Sequence, residues 1–289
     1  MQEYNQQTLD VTRIRSDQDG LDMERFPDFL ILGPQRTGST WLYDNLQQHP
    51  QVFLSDPKEL YYFNCLMGKD QDCYFRSAYD PAITDLADYL EHFRDPPRQW
   101  FSKTISTFYK YGERYTPTHR GEASAHYALL PEEIIQEITS LQPDLRAILL
   151  IRNPLERAWS HAKKDLVRNA NVRLEDVTDE AFFEFFDQPY QRRCADYRTM
   201  IETWTKALKP GHLYIGFQKR ITTDPETQLN EIHEFLGIRS GEKYINVDAL
   251  VSVSNPTDGT PPNDRIKQYL EKMFSDETAW LADTFGDLI

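Results

Sequence analysis

A continuous apolar run that breaks into a glycine-bracketed loop constrains the fold more than any other stretch of this chain. Residues 29–32 read FLIL, a pattern typical of a strand covered on both faces of a sheet. Gly33 ends the run, and Gly38 permits close approach of the backbone to a ligand. A helix is predicted to begin near Ser39 or Thr40. Because free N–H groups and the positive end of the helix dipole point into the loop, the sequence predicts a site for an anion of phosphate type.

The loop approaches the Walker pattern G-x4-G-K-[ST] and then departs from it. Gly33 and Gly38 occupy the glycine positions, but Ser39 stands at the lysine position. The cation is Arg36, two residues before the second glycine, so an ATP or GTP hydrolase would lose its main contact to the γ-phosphate. Arg36, Ser39 and Thr40 instead add donors to an anion cradle. The alternative interpretation is a glycine turn between strand and helix that binds no ligand.

Charge and length limit the classes of function. A formal net charge of −14 argues against nucleic acid and polyanionic acceptors, so an anionic ligand requires a local concentration of cations. No linker rich in Gly, Ser or Pro divides the 289 residues. We therefore expect a loosely ordered arm at residues 1–25 and one domain at residues 26–289.

Cysteine content and hydropathy bear on the compartment. The three cysteines are too few for a disulfide framework, and the polar, acidic N-terminus is not typical of a secretory signal. No apolar run approaches the roughly 18 residues of a membrane span. The expected protein is cytoplasmic and has no transmembrane segment.

A charged pair surrounded by aromatic residues follows the second short apolar run. The segment KELYYFN at residues 58–64 places Glu59 among rings, where desolvation is expected to raise its pKa and make it a better general base. The alternative is a surface salt bridge between Lys58 and Glu59 beside a core-bound aromatic patch.

His126 lies within residues 121–127, a stretch predicted to be a short strand end that runs into a turn, and ligands bind at such strand ends in open α/β sheets. A lone histidine is more often structural. In the functional interpretation, His126 would orient the substrate that gives up a proton, or would act as the base if Glu59 does not.

A second strand, turn and helix occurs at residues 146–164. Residues 147–151 form a buried-strand run, Arg152 emerges at its carboxyl end, and a helix begins near Leu155. The Arg152 guanidinium and the Ser160 hydroxyl can meet at a common anion. The alternative is an exposed arginine beside a solvated basic helix.

The remaining chain is predicted from its periodicity. Residues 100–119 have no clean period, and we assign them to a cover over the pocket in which a substrate would bind. Residues 181–186 are apolar enough to form a buried helix or a lid. Helices are predicted through residues 86–93, 134–141, 197–208, 229–236, 266–273 and 280–285, and a strand at 213–217.

Three motifs resemble those of the sulfotransferases that use 3′-phosphoadenosine 5′-phosphosulfate (PAPS), including the carbohydrate or heparan type and bacterial relatives. PQRTGSTWL at residues 34–42 resembles their 5′-phosphosulfate loop. KELYYFN is similar to the segment K-E-x-x-[FY]-F-[DN], and residues 151–160 resemble the 3′-phosphate motif [LI]-R-[DN]-P-x-[ED]-R-[AV]-x-S. The resemblance extends over about residues 27–285.

The resemblance implies a fold, a donor and roles for residues. The fold would be α/β, with a parallel sheet flanked by helices as in P-loop nucleotide kinases, and PAPS would serve as co-substrate without a metal. The catalytic residues implied are Glu59 as base, Arg36 and Lys58, with His126 as the alternative base. The donor-binding residues implied are Arg36, Thr37, Gly38, Ser39, Thr40, Trp41, Arg152, Ser160, Tyr197 and Arg265.

The chain departs from the family pattern at several positions, among them Ala125 in place of a proline and Ala195 in place of a glycine, and two further departures bear on the donor site. Ala123 replaces the lysine of the segment E-K-[ST]-P-x-Y, so that contact is absent. The loop at residues 251–265 lacks the basic run that often closes over the nucleotide, and only Arg265 and Lys267 remain.

The implied reaction is in-line transfer of a sulfuryl group from PAPS to a hydroxyl or amine, releasing 3′,5′-adenosine bisphosphate (PAP). The partner is a small-molecule or carrier-tethered acceptor, whether a sugar, a phenol, a lipid alcohol or an acyl group. The alternatives are a divergent P-loop kinase and a non-catalytic nucleotide-binding protein.

Overall fold

The computed structural model describes residues 20–66, 83, 85–251 and 259–289, and it contains one five-stranded sheet. The strands are β1 Phe29–Leu32, β2 Val52–Leu54, β3 His119–Ala123, β4 Arg146–Ile151 and β5 Leu213–Phe217. Their order in the sheet is β2-β3-β1-β4-β5, and every neighbouring pair is parallel. The predicted parallel α/β sheet is confirmed.

Helices connect and cover the strands. In the first half of the described chain they are α1 Ser39–Leu46, α2 Tyr62–Cys65, α3 Leu86–Glu91, α4 Pro97–Tyr111 and α5 Glu132–Leu141. They continue with α6 Pro154–Ala162, α7 Asp179–Asp187, α8 Pro189–Arg193, α9 Tyr197–Ala207 and α10 Gln218–Thr223. The last are α11 Pro225–Leu236, α12 Val247–Val251, α13 Asp264–Met273 and α14 Ser275–Phe285. A π-helical segment, Lys163–Asn169, extends α6.

The FLIL run forms the central strand because both of its faces are covered. Leu30 and Leu32 join a cluster with residues of α3, α5 and α9, whereas Phe29 and Ile31 join a second cluster with residues of α1 and α11. All four side chains are fully buried, so each stabilises the fold by about 2 kcal/mol. This two-sided burial explains why the run has no polar alternation.

The strand order fixes where a ligand site forms. β1 lies between β3 and β4, and the chain reaches β2 and β3 on one side before it crosses to β4 and β5 on the other. The loops that leave the carboxyl ends of β1 and its neighbours therefore diverge and leave a crevice at that edge.

Most of the stretch 100–119, in which the sequence showed no clean period, forms the helix α4. Pro97 lies in the first turn and Gly112, with φ +68°, ends the helix. The helical period was hidden because Thr107 and Tyr111 face inward while larger apolar residues such as Phe101 and Phe108 face outward. An outward apolar face gives no amphipathic pattern of the usual kind.

The predicted helix at residues 181–186 is confirmed as α7. Phe182, Phe185 and Phe186 are buried in a cluster with residues of α6 and α13. The predicted N-terminal arm and the loop at 251–265 lie partly outside the described residues. Within the described ranges, no helix has the length and apolar content needed to cross a bilayer.

Candidate active site

A cavity of about 490 Å³ opens at the carboxyl edge of the sheet. Its walls come from the loop after β1 and the start of α1, the loop after β2, the residue Ala125 after β3, and the π-helical segment after α6. The lining residues are Gln35, Arg36, Ser39, Thr40, Pro57, Lys58, Glu59, Leu60, Tyr61, Ala125, Lys164 and Arg168. Segments far apart in the sequence therefore meet at one site.

The loop after β1 is held in a conformation that exposes the start of α1. Gly38 caps the helix with φ +107°, and a Cβ at this position would lie 2.3 Å from Cδ1 of Ile221. The fully buried Thr37 donates from Oγ1 to the carbonyl of Pro34 at 2.8 Å. Ser39 therefore begins the helix at the cavity wall, where N–H groups and the helix dipole favour an anion.

The two predicted halves of the donor site are in direct contact. Arg36 donates from Nε to Oγ of Ser160 at 3.0 Å, and Arg152 donates from Nη1 to the carbonyl of Arg36 at 3.2 Å. The backbone N–H of Arg152 donates to the Tyr197 hydroxyl at 3.3 Å. The strand end that carries Arg152 is thus tied to the loop that carries Arg36.

Cations are concentrated at this cavity. Burial, followed by the nearby Arg168 and Arg152, lowers the pKa of Arg36 to about 10 against the opposing carboxylate of Asp165. Lys164 lines the same cavity. This cluster supplies the local positive charge that an anionic ligand requires in a chain of net charge −14.

Lys58 and Glu59 line the same cavity as the loop after β1 and the start of α1. Lys58 Nζ lies 2.6 Å from Oε1 of Glu59 and 3.4 Å from Oγ of Ser39, and the Tyr61 hydroxyl donates to Oε2 of Glu59. Arg36, Glu59 and Tyr61 have φ values of +73°, +67° and +57°. Such left-handed conformations cost about 1–3 kcal/mol each in non-glycine residues and cluster at functional sites.

The pKa of Glu59 differs from the sequence prediction. Burial raises it, but Lys58 and His126 lower it, and hydrogen bonds from Lys58 and Tyr61 lower it further. The net pKa lies below the ordinary value of 4.5. The expected rise in pKa was wrong, because the aromatic surroundings also bring a cation and a hydroxyl donor to the carboxylate.

Hydrogen bonds to strand β3 fix the position of the loop that carries Glu59. The N–H of Glu59 donates to the carbonyl of Ala123 at 3.0 Å, and the N–H of Leu60 donates to Oε1 of Glu122 at 3.2 Å. Tyr89 and Ser124 also donate to the Glu122 carboxyl, at 2.6 and 2.5 Å. Burial raises the pKa of Glu122 to about 7 despite these hydrogen bonds.

His126 lies behind the cavity wall and is almost fully buried. Its Nε2 lies 3.1 Å from Nε2 of Gln35, and its Nδ1 lies 4.0 Å from Oε2 of Glu59. Burial lowers its pKa to about 3, with Glu59 opposing that effect. At neutral pH the imidazole is therefore uncharged, and it contacts two residues that do line the cavity.

Only Arg36, Ser39 and Thr40 of the ten residues assigned to the donor site line this cavity. Arg152 and Ser160 lie outside its lining but are hydrogen-bonded to Arg36. The other five residues that do not line it are Thr37, Gly38, Trp41, Tyr197 and Arg265. The Trp41 indole donates to the carbonyl of Leu250 at 3.0 Å within the core below α1. Tyr197 is buried and reaches the site only through the N–H of Arg152. Arg265 is exposed and forms ion pairs with Asp179 and Glu180 of α7 at 3.3 and 3.0 Å.

Sequence reasoning missed several residues of the site. Lys164 and Arg168 follow Ser160 at intervals of four residues, a spacing that places side chains along one side of a helix and could have identified them. Gln35 and Glu122 carried no such pattern. Across the described ranges, no three His, Cys, Asp or Glu side chains are grouped as metal ligands would be.

Sequence comparison identifies relatives of this chain. Human bifunctional heparan sulfate N-deacetylase/N-sulfotransferase 3 is 26% identical over 238 residues, which cover 76% of this chain and 23% of the relative. The mouse isoform 1 of that enzyme is 28% identical over 234 residues, with the same two coverages of 76% and 23%. The chain therefore spans about a quarter of the length of the curated relatives it matches.

Solved structures show the same fold. A sulfotransferase from Alicyclobacillus acidocaldarius has a TM-score of 0.62 at 19% identity and covers 89% of this chain and 95% of its own. A sulfotransferase from Mycobacterium avium has a TM-score of 0.51 at 12% identity, with coverages of 96% and 82%. The family model described as "Sulfotransferase family" matches residues 27–242, which is most of the chain. The protein therefore belongs to the sulfotransferase family.

Proposed function

We propose that this protein transfers the sulfuryl group of PAPS to a hydroxyl or amine of an acceptor and releases PAP. One observation carries the proposal. One cavity is lined both by Arg36, which is bonded to Ser160, and by the Lys58–Glu59 pair. The anion site at the start of α1 and a carboxylate thus share one space that is large enough for reacting groups.

The donor would be held at both phosphates. The N–H groups at the start of α1, with the hydroxyls of Ser39 and Thr40, would bind the 5′-phosphate. Arg152 and Ser160 would bind the 3′-phosphate, because a guanidinium fork and a hydroxyl match its oxygens. The missing Walker lysine agrees with a donor that has a 3′-phosphate and lacks a γ-phosphate.

The chemical step would be a direct in-line displacement. The acceptor oxygen or nitrogen forms a bond to sulfur as the bond from sulfur to the bridging oxygen of the 5′-phosphate breaks. Glu59 takes the proton of the acceptor, and Arg36 neutralises the charge that develops on the bridging oxygen. PAP leaves with the electron pair of the broken bond.

Lys58 would couple donor binding to the strength of the base. In the described structure its ammonium contacts both Ser39 of the cradle and Glu59. A bound phosphosulfate offers Lys58 a second anion, and movement toward it weakens the ion pair with Glu59. Burial then raises the pKa of Glu59 with less opposition, and a more basic carboxylate accepts the acceptor proton more readily.

The acceptor is proposed as a small molecule or a carrier-tethered group. The names of the heparan sulfate N-sulfotransferase relatives support an amine as well as a hydroxyl nucleophile. The net charge of −14 argues against a polyanionic chain such as the one those names specify. The names of the relatives therefore bear on which atom of the acceptor is the nucleophile, and less on whether the acceptor is a polymer.

A thermal-shift series tests the donor assignment. We expect PAP to raise the melting temperature without added metal and to do so more than ATP or Mg-ATP. Greater stabilisation by Mg-ATP would contradict the proposal and favour the kinase alternative. Stabilisation by PAP with no transfer of labelled sulfuryl from PAPS to any hydroxyl or amine acceptor class would favour the non-catalytic alternative.

A further inference from the structure

The two oxygens of the Glu59 carboxylate have different neighbours. Oε1 lies 2.6 Å from Lys58 Nζ, and the same ammonium lies 3.4 Å from Oγ of Ser39 at the start of α1. Oε2 accepts a hydrogen bond from the Tyr61 hydroxyl and lies 4.0 Å from Nδ1 of His126. Oε1 is therefore linked through Lys58 to the anion site, whereas Oε2 is next to Tyr61 and to the segment that follows β3.

The hydrogen bond between Gln35 and His126 fixes which imidazole nitrogen carries the proton. The amide Nε2 of Gln35 lies 3.1 Å from Nε2 of His126. Because an amide nitrogen can only donate, Nε2 of His126 accepts this hydrogen bond. Burial lowers the pKa of His126 to about 3, so the ring is uncharged at neutral pH and its single proton is on Nδ1. The N–H group of Nδ1 is therefore the one nearer to Oε2 of Glu59.

Tyr61 is held where its hydroxyl meets Oε2. The residue is 8% exposed, and its ring packs against the His126 ring with 5.1 Å between the ring centres. The backbone of Tyr61 has φ +57°, and that of Glu59 has φ +67°. Non-glycine residues keep such conformations only where the surrounding structure imposes them. The hydroxyl and the carboxylate therefore meet in a defined geometry.

The donors beside Oε2 decide which oxygen can take a proton. A carboxyl group protonated on one oxygen keeps the other as a carbonyl oxygen, which accepts hydrogen bonds. A proton on Oε2 would point a third donor at the Tyr61 hydroxyl and the Nδ1–H of His126. A proton on Oε1 leaves Oε2 able to accept from Tyr61. Movement of Lys58 toward a bound phosphosulfate, as proposed above, would vacate the position beside Oε1.

We infer that Tyr61 is a positioning residue, which holds Oε2 of Glu59 so that Oε1 takes the proton of the acceptor. The inference rests on the proposed function, since it assigns an atom to the proposed base. The acceptor atom forms its bond to sulfur with a lone pair, and its proton passes to Oε1. The electron pair of the broken O–H or N–H bond stays on the acceptor atom. Oε2 becomes the carbonyl oxygen and keeps its hydrogen bond from Tyr61.

The pH profile of kcat in Tyr61→Phe tests the inference, because this variant keeps the ring and removes only the hydroxyl. Loss of a donor to the carboxylate raises the pKa of Glu59, so the acid limb should move upward by about 1 pH unit. Above that limb, kcat should fall by about 3- to 30-fold, because the carboxylate is no longer held in one orientation. The affinity for PAP should be unchanged, which also shows that the variant is folded.

The rate above the acid limb separates positioning from a change in basicity. A higher pKa alone makes Glu59 a stronger base, which would leave that rate equal or raise it. An equal or higher rate in Tyr61→Phe would therefore overturn the inference. An acid limb that does not move would overturn it as well, since that is the result of a purely structural role. Tyr214→Phe is the matched control and should change neither, because the Tyr214 hydroxyl donates to Glu231 at 2.7 Å and neither residue lines the cavity.

Carboxyl ¹³C NMR tests the hydrogen bond without any turnover. The Glu59 resonance is identified by its loss in Glu59→Gln, and its titration midpoint should rise in Tyr61→Phe. An unmoved midpoint would overturn the inference by itself. Normal turnover in Glu59→Gln would instead show that the proposed base is wrong. Loss of turnover in Glu59→Gln with a normal profile in Tyr61→Phe would show that only the role of Tyr61 is wrong.

A further measurement needs no variant of Tyr61 to fold. In the unchanged protein, the Tyr61 hydroxyl proton should give a strongly deshielded NMR resonance, as expected for donation to a charged carboxylate. Its contacts with the ring protons of Tyr61 identify it, and it should shift as Glu59 titrates. A resonance at an ordinary hydroxyl position that does not depend on pH would contradict the inference.

Discussion

Arg36 and Ser160 lie 124 residues apart in the sequence, and the Arg36 guanidinium donates from Nε to the Ser160 hydroxyl at 3.0 Å. This bond joins the loop after β1 to the helix after β4. The proposed contacts to the two phosphates of PAP are therefore already in register. A site arranged in this way needs little reorganisation on binding.

Arg152→Gln should separate the two phosphate contacts. We expect it to weaken PAP binding by about 10- to 100-fold, since hydrogen bonds to charged groups contribute about 1.5–3 kcal/mol. Binding of adenosine 5′-phosphate, which lacks the 3′-phosphate, should change little. Isothermal titration with both ligands measures the difference. Arg265→Gln is the control and should leave both affinities unchanged, because Arg265 pairs with Asp179 and Glu180. Equal losses for the two ligands in Arg152→Gln would indicate a disturbed Arg36 loop.

Glu59→Gln should lower turnover while PAP still binds. Loss of a general base costs on the order of a hundredfold or more, and the amide keeps the shape of the side chain. Steady-state turnover and PAP affinity are the two measurements. His126→Gln serves as the comparison and should lower turnover much less, because His126 is buried behind Gln35 and Glu59. The opposite ranking of the two variants would transfer the role of base to His126.

Lys58→Met should change the pH dependence of turnover. Lys58 is the largest of the influences that lower the pKa of Glu59, so its removal leaves burial to raise that pKa. A base must be unprotonated to act, and a higher pKa means that activity is lost at a higher pH as the solution is acidified. The acid limb of the profile for kcat should therefore move upward in Lys58→Met and stay close to its original position in Lys58→Arg. An unmoved limb in Lys58→Met would show that Lys58 does not control the base.

Gly38→Ala should destabilise the fold through two separate effects. A non-glycine residue at φ +107° costs on the order of 1–3 kcal/mol, and the new methyl group would also meet Ile221. Adding Ile221→Ala should relieve the contact, so the double variant should lose less stability than the sum of the single variants. Gly211→Ala is the matched control, with φ +81° and no atom within 4 Å of the added Cβ. Additive losses measured by chemical denaturation would mean that the contact with Ile221 has no effect.

Glu122→Gln should remove a pH-dependent loss of stability. The pKa of Glu122 is raised from its ordinary 4.5 to about 7, so the folded state retains a proton that the unfolded chain releases. The stability of the unchanged protein should therefore fall as the pH rises from about 4.5 to 7, by about 3 kcal/mol from this group. Above pH 7 this contribution is fully lost. Denaturation curves should show Glu122→Gln gaining on the unchanged protein across that window, and a constant difference would contradict the assigned pKa.

The two apolar runs that form β1 and β4 made the sheet and its ligand edge predictable. Each run is followed within four residues by an arginine, Arg36 after β1 and Arg152 after β4, and Arg152 is hydrogen-bonded to the carbonyl of Arg36. The order of strand, loop and helix along the chain therefore predicted where these two arginines lie relative to the sheet. The period of α4 was hidden because its larger apolar residues face solvent, which no rule of core burial anticipates.

The electrostatic environment of Glu59 was less predictable than its position. The aromatic residues around it correctly indicated burial, but the net pKa depends on where Lys58 and Tyr61 point. That direction follows from left-handed backbone conformations at Glu59 and Tyr61. Neither residue is a glycine, so the sequence contained no sign of these conformations. Local composition therefore predicted that burial raises the pKa of Glu59. It missed the charges and hydrogen bonds that together lower the pKa by more.

The order of the strands in the sheet has a consequence for how any variant of this protein should be interpreted. Every wall of the cavity is contributed by a different connection, and the pairs β1–β3 and β1–β4 join segments distant in the chain. A partly folded chain in which β1 to β4 have not paired therefore contains no complete cavity, and ligand occupancy reports the pairing of these four strands. A destabilising change far from the cavity will lower the occupied fraction by mass action alone, with no contact to the ligand.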